Sequence, residues 1–280
     1  MIHYLIDVSW MLYRGVYACS NVWNEYPELH FLCKKLESLL SRKDCATHLA
    51  LDGRNPKGRR LLGKEGYKSN RNAEGRYNVY TGLGSFVSLL HNNRIKIYYN
   101  DNYEADEIIF TLSRTLDGRK KILSGDKDLL QSLNNDTVIE SLKGLVITNE
   151  SYKYEYADMF FEIDPYRLPI YRAIAGDPSD TLDPPVKRFP HKLAARIAKD
   201  IEYTGDCPTI DSLKSISNNY KDSEKKWVYK LIEAYKPFSL NFDIMKLNVI
   251  TDDLVNNQYN YQEVDLGDFL KSKIEKLNTL

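Results

Sequence analysis

The chain has 280 residues, enough for one large domain or two small ones, and with 42% apolar and 28% charged residues it reads as globular, not disordered or fibrous. Lys plus Arg and Asp plus Glu number 39 each, so net charge points to no partner and only the placement of charge can. Cys19, Cys33, Cys45 and Cys207 show no CxxC or Cys/His spacing, which argues against a zinc site or a disulfide framework and predicts reduced thiols in a cytoplasmic protein.

The N-terminal stretch MIHYLIDVSW lacks the basic start of a signal peptide and carries Asp7 inside its apolar run. No apolar stretch approaches the roughly 20 residues of a membrane span, so no membrane association is expected. Four short apolar runs read as buried strands: HYLID (3–7), THLALD (47–52), RIKIYYN (94–100) and KKILSGD (120–126). Helical patterns lie near 29–41, 77–92 and 104–116. Strands alternating with helices predict a parallel sheet covered on both faces. After about residue 150 the pattern is mainly helical, at 164–175, 191–203, 222–235 and 239–250, interrupted by the Pro-rich, charged GDPSDTLDPPVKRFPHK (176–192). Residues 251–265 read as loop, and LGDFLKSKIEKLNTL as a final helix. The expected organisation is an α/β core over 1–150 and a mainly helical region over 151–280.

Three of the four runs finish in Asp7, Asp52 and Asp126, and the third leads through a short loop into Glu104. In open α/β sheets that carboxyl edge is where ligands bind. One Asp at a helix start is ordinarily a cap, because its side chain accepts an orphan N–H and its charge suits the helix dipole. The collected set is harder to read that way. Asp7, Asp52, Glu104, Asp106, Glu107, Asp126, Asp128, Asp177 and Asp180 would converge on one edge, and like charges so close raise one another's pKa. Cations would neutralise them. Oxygen ligands without His or Cys favour Mg²⁺, with Mn²⁺ as substitute, and the number of acids suits two ions, a standard device for phosphodiester hydrolysis.

Immediately after Asp52, residues 53–76 hold eight Lys/Arg against two Glu, with glycines at 58, 63, 66 and 75 that predict mobility when unliganded. A charge run is usually a solvated loop. A positive segment overhanging an acidic edge is instead what a polyanionic substrate needs, since phosphates release counterions to Lys and Arg. A second basic run, Lys187, Arg188, Lys192, Arg196 and Lys199, follows the GDPSD segment.

These residues resemble the 5′-nuclease superfamily (flap endonucleases and 5′–3′ exonucleases) in its short stand-alone phage or bacterial form. LIDVSWMLYRGVYA is similar to an Asp strand followed by a YRxxxA helix. LALDGRNPKGRRLLGKEGYKSNR is similar to a second Asp strand followed by FRx₆YKxxR, with Arg60, Tyr67, Lys68 and Arg71 at the matching places. YEADEIIFTL resembles the EADD helix with Glu107 for the last Asp, ILSGDKDLLQSL the SGDKDLxQL loop, and AGDPSDTLDPPVKRFPHKLAARIA a degraded GDxSDNIPGVxGIGxKTA hairpin. In the last of these, the three hairpin Gly positions fall on Pro185, Arg188 and Pro190.

The resemblance implies a PIN-like parallel-sheet nuclease core with a basic mobile arch at 53–76, then a helix-hairpin-helix-type DNA-binding region with its hairpin near 176–199. It implies Asp7, Asp52, Glu104 and Asp106 around one metal ion, Asp126, Asp128 and Asp177 around a second, and Glu107 and Asp180 shared or acting through water. Lys68 and Arg60 would meet the scissile phosphate and, with Asp7 and Asp106, count as catalytic. Arg59, Arg60, Tyr67, Lys68, Arg71, Lys187, Arg188 and Lys192 would contact DNA, and Tyr13 and Arg14 fall near the site. The implied activity is Mg²⁺-dependent hydrolysis near 5′ ends of branched DNA or RNA primer–DNA hybrids, in replication, by a monomer that works beside a polymerase or single-strand-binding protein. A PIN-type ribonuclease would share the acidic sheet without the long basic segment, and a non-catalytic junction-binding protein would have lost some of the acids.

Overall fold

The computed structural model describes residues 1–23, 25–53, 78–141, 144–252, 254 and 264–280. The four apolar runs are strands β1 (Ile2–Asp7), β2 (Cys45–Ala50), β3 (Ile95–Tyr98) and β4 (Arg119–Leu123). Two short strands, β5 (Thr137–Glu140) and β6 (Val146–Ile147), extend the sheet in the order β3-β2-β1-β4-β5-β6. They were not foreseen, because four and two residues are too few to show a period. The β1–β2, β1–β4, β2–β3 and β4–β5 pairs are all parallel. β1 and β2 are buried along almost their whole length, as strands covered on both faces must be. The chain moves from β1 to β2 and β3 on one side and then returns to β4 on the other. The carboxyl ends of β1 and β4 therefore flank a topological switch point.

Helix α1 (Val8–Cys19) starts directly at the end of β1, followed by α2 (Pro27–Leu40), α3 (Leu83–Leu89) and α4 (Ala105–Thr115). Helix α3 is shorter than its sequence pattern because Gly82, at φ 83°, turns the backbone left-handed just before it. Helices α1 and α2 approach closely at Gly15, where a Cβ would lie 2.7 Å from the Glu28 Cα. Tyr4 and Ile6 on one sheet face pack with Leu29, Leu32, Leu36 and Leu39 of α2.

Two compact units result. The first comprises the described parts of Met1–Pro56, Gly75–Val146 and Asn248–Leu280, and the second contains Ile147–Leu247. The chain thus returns to the first unit at its end. The final helix, labelled α12 below (Gly267–Thr279), buries Leu270, Ile274 and Leu277 in the same core as α2. The second unit is helical: α5 (Tyr152–Glu155), α6 (Ala157–Phe160), α7 (Leu168–Ala175), α8 (His191–Asp200), α9 (Ile210–Ser217), α10 (Asp222–Glu233) and α11 (Tyr235–Met245). Helix α9 was missed in the sequence. Ile170, Ile174, Ala194, Ile197, Phe238 and Phe242 are buried, and Asn241 Nδ2 donates to the carbonyls of Ala173 (3.2 Å) and Asp183 (2.9 Å). Among the described residues no helix is long and apolar enough to cross a membrane.

Candidate metal centre

In the first unit, local hydrogen bonding holds each carboxylate at the sheet edge. Asp7 caps α1: its Oδ1 accepts the Trp10 N–H at 2.9 Å, and its Oδ2 accepts from the Ser124 hydroxyl at 2.8 Å. Asp52 follows β2. Its Oδ1 accepts the Ala105 N–H at 2.7 Å, at the start of α4, and its Oδ2 accepts from Ser9 at 2.5 Å. Glu104 and Glu107 form a capping box, with the Glu104 N–H donating to Glu107 Oε2 at 3.0 Å. The Glu107 N–H in turn donates to Asp106 Oδ1 at 2.8 Å. In the loop after β4, the Asp126 N–H donates to Ser124 Oγ at 3.0 Å, and the Asp128 N–H to Asp126 Oδ1 at 2.8 Å. Ser124 therefore ties the end of β4 to the end of β1. The two glutamates answer to the ordinary capping role of acids at a helix start, and the convergence of aspartates from separate elements does not.

Asp106, Asp126 and Asp128 each place a carboxylate oxygen within 4.8 Å of the others. The resemblance had divided these three between two ions, and the structure groups them together. Asp7, Glu104, Asp106, Glu107 and Asp128 are buried, and Asp126 lies on the open side. Burial first and then the charge of Asp52 push the Asp7 carboxyl up to about 7, against the opposing pull of the Trp10 and Ser124 hydrogen bonds. Crowding by protein atoms, which strips water from the charged form, and then the charges of Asp128, Asp106 and Asp7 raise the Asp126 carboxyl well above the usual range. A cluster whose members resist ionising together fits a divalent cation. The donors are hard carboxylate oxygens, with no His or Cys among the three.

Residues beyond the acidic motifs complete the site. The Trp10 indole lies against Gly125. Tyr80 sits edge-on to Tyr13 with ring centroids 6.4 Å apart. Ser9 and Ser124 could have been suspected from the DxS and SGD spacings. Tyr80 carries no such signal. Arg59, Arg60, Tyr67, Lys68 and Arg71 lie outside the described residues.

In the second unit, Asp177 has both oxygens engaged. Oδ2 accepts from Arg172 at 2.5 Å, and Oδ1 accepts the Ser179 N–H at 2.9 Å and the Ser179 hydroxyl at 2.5 Å. Asp180 is buried nearby in the short turn Pro178–Asp180. The preceding Gly176, at φ 77°, admits no side chain: a Cβ would lie 2.7 Å from both the Leu182 carbonyl and the Pro184 nitrogen. Lys187, Arg188 and Lys192 are exposed. Arg188 has φ 60°, a left-handed backbone at a position where the hairpin pattern calls for Gly. Phe189 beside it is buried against Trp227 at 5.6 Å. Arg196 is occupied by Glu224, at 3.1 and 2.8 Å.

A family model describing the 5′-3′ exonuclease N-terminal resolvase-like domain matches residues 3–160. A 5′-3′ exonuclease of Aquifex aeolicus is 26% identical over 182 residues, which are 62% of this chain and 60% of that protein. DNA polymerase I of Bacillus subtilis is 27% identical over 155 residues, 54% of this chain but 16% of the polymerase. The chain thus spans less than two-thirds of the length of these relatives. Among solved structures, the T5 D15 protein co-crystallised with metal ions has a TM-score of 0.65 at 12% identity, covering 99% of this chain and 100% of its own. The catalytic core of Rad2 in complex with DNA substrate has 0.53 at 15% identity, covering 100% and 88%. Human GEN1 in complex with Holliday junction DNA has 0.55 at 16% identity, covering 93% and 63%. At such identities the likeness is one of fold.

Proposed function

The chain belongs to the 5′-3′ exonuclease N-terminal domain family of 5′-nucleases, and from that premise we propose that it is a Mg²⁺-dependent enzyme hydrolysing phosphodiester bonds near the 5′ ends of branched DNA. The observation that carries this reading is the convergence of Asp106, Asp126 and Asp128 within 4.8 Å at the switch-point edge of the parallel sheet.

These three carboxylates would hold one divalent cation, with Asp7, Asp52 and Glu104 beside them available to a second. A bound divalent cation supplies Lewis-acid stabilisation of charge on a phosphoryl group and makes a coordinated water more acidic. The residues do the rest. Asp7, held up to about 7 by burial and by Asp52, gives up its proton when positive charge enters the site. Ser124 and the Trp10 N–H keep its two oxygens oriented. Lys68 and Arg60, placed by the sequence just beyond Asp52, would neutralise charge building on the scissile phosphate. Lys187, Arg188 and Lys192 would hold the duplex backbone without reading sequence. Glu107 would support the ligands from the capping box. By the resemblance, Asp177 would be a ligand of the second cation, and Asp180 would act through water.

The products would be a 5′-phosphate and a 3′-hydroxyl, which suits RNA-primer removal during replication, beside a polymerase or single-strand-binding protein. The deciding experiment incubates the protein with a 5′-labelled flap DNA and, separately, single-stranded RNA, with Mg²⁺, Mn²⁺ or EDTA. Discrete flap products with either cation and none with EDTA are expected. Cleavage confined to RNA would assign the chain to a PIN-type ribonuclease, and binding without cleavage to a junction-binding protein.

A further inference from the structure

Helix α10 (Asp222–Glu233) lies beyond the residues that the family model matches, and none of the motifs includes it. Two contacts tie it to the segment around α8. Arg196 of α8 donates to both carboxylate oxygens of Glu224, at 3.1 and 2.8 Å, and its guanidinium lies over the Tyr220 ring at 4.4 Å. Just before α8, the buried Phe189 meets the Trp227 ring at 5.6 Å and 65°. Glu224 and Trp227 are i and i+3 on α10 and so share one side of it. A charged joint and an aromatic joint thus fix α10 against α8 and the hairpin. Arg196, part of the second basic run, is spent on the first of these joints.

Two lysines of α10 stand on the flank beside the aromatic joint. Lys230 Nζ lies over the Trp227 ring at 4.9 Å, so the ring that packs on Phe189 also steadies an ammonium. Lys226 stands one helical turn earlier on the same flank. Both are exposed. Among the described residues neither has an ion pair, since Asp222 is taken by Lys225 at 3.6 Å and Glu224 by Arg196. Glu233 lies in the last turn, past both. On the other side of the joint, Lys187 and Arg188 directly precede Phe189, and Lys192 opens α8, all three exposed. The Phe189–Trp227 contact therefore has exposed cations on both sides, carried by elements locked to one another. Such a pair of cationic edges suits a regular polyanion, and duplex DNA offers phosphates at a fixed repeat. Lysine ammoniums hold phosphates as point charges and carry no sequence information.

We propose that α10 is a second duplex-binding element, in which Lys226 and Lys230 hold backbone phosphates next to those held by the hairpin. The inference rests on the nuclease reading above and extends its DNA contacts to a helix outside the motifs.

The test compares the full chain with Lys226→Gln/Lys230→Gln, Lys226→Arg/Lys230→Arg and Lys214→Gln, the last being an exposed lysine of α9 paired with Asp211. Binding to flap DNA and to the single strand alone is read by fluorescence anisotropy over a range of KCl, in EDTA to withhold the cation that cleavage needs. Thermal melting reports folding. Loss of two phosphate contacts should weaken flap binding at low salt and make the slope of log K against log[salt] shallower by roughly 1.8. Between ~50 and ~200 mM salt the Gln pair should therefore lose about tenfold less affinity than wild type. The Arg pair keeps both charges and should keep the wild-type slope, and Lys214→Gln should bind as wild type does. Should the Gln pair melt early, each single Gln variant should show about half the change in slope. Wild-type affinity and slope in the Gln pair, a loss confined to the single strand, or an equal loss in Lys214→Gln would overturn the proposal. A wild-type protein that binds no flap DNA would defeat the nuclease reading, and the inference with it. One that binds and, with Mg²⁺, cleaves while the Gln pair keeps its salt slope would defeat the inference alone.

Discussion

The indole of Trp10 occupies the space that a side chain on Gly125 would need: a Cβ there would lie 2.5 Å from Nε1. Trp10 belongs to the turn that Asp7 caps, and Gly125 precedes Asp126, so the contact sets how closely the two acidic segments approach. Gly125→Ala must therefore displace the indole or the loop. Expected are a shift in tryptophan emission and a loss of flap cleavage of roughly 10-fold or more, as misplacement by about 1 Å commonly produces. Wild-type emission with a wild-type rate would contradict this.

Asp128→Asn keeps the shape of the side chain and removes one charge from the group of three. The Asp126 carboxyl, raised by crowding and then by Asp128, should ionise more readily. In EDTA the variant should be more stable than wild type by on the order of 1 kcal/mol, a few degrees in melting temperature. In Mg²⁺ the order should reverse, because the cation has lost a ligand charge, and cleavage at saturating Mg²⁺ should fall. Melting curves in the two conditions check both signs at once.

A pH effect should arise on the other side of the sheet. His3 Nδ1 and His48 Nε2 lie 2.9 Å apart, and His48 Nδ1 lies 3.1 Å from the Tyr98 hydroxyl. Burial, then His3 and Lys96, push the His48 ring down to about 4. The unfolded chain, with a pKa near 6.5, then binds more protons than the folded one. Stability is therefore present at neutral pH and is lost as pH falls from about 6.5 toward 4. By pH 5 the loss from His48 should reach about 2 kcal/mol. Urea midpoints for wild type and His48→Gln between pH 7.5 and 5, read at that ~2 kcal/mol scale, should converge as the pH drops. Parallel curves would sink the assignment.

Arg188 carries a left-handed backbone that suits glycine, at φ 60°. Arg188→Gly should stabilise the protein by about 1 kcal/mol by relieving that strain. If the side chain grips a phosphate, the same change should weaken duplex binding for any sequence. It should also make the slope of log K against log[salt] shallower by roughly 0.9. Greater stability with an unchanged salt slope would leave Arg188 without a role in DNA binding.

In the second unit, Arg172 and Asp177 form a buried ion pair at 2.5 Å. Arg172→Met should cost roughly 3–5 kcal/mol by leaving Asp177 buried without its cation. Asp177→Asn tests the ligand role implied by the resemblance. Unchanged Mn²⁺ binding in a folded variant would make Asp177 a partner of Arg172 and Ser179 alone.

The sequence by itself determined the elements and what stands at their ends. Apolar runs of buried strands, the helices between them and the acids that close the runs are local patterns, and the parallel α/β core follows from their alternation. The acidic motifs were legible for the same reason, since each occupies a few consecutive residues. Strands β5 and β6 and helix α9 escaped because short or polar segments carry little periodicity. Tertiary structure alone decided which groups meet. Whether Asp106 of α4 stands beside Asp126 and Asp128, whether Ser9 reaches Asp52, and whether Arg172 claims Asp177 depend on strand order, helix approach and turn geometry. So does the return of α12 to the first core. Those contacts join residues that no window of sequence holds together, and each is settled by the packing of whole elements against one another.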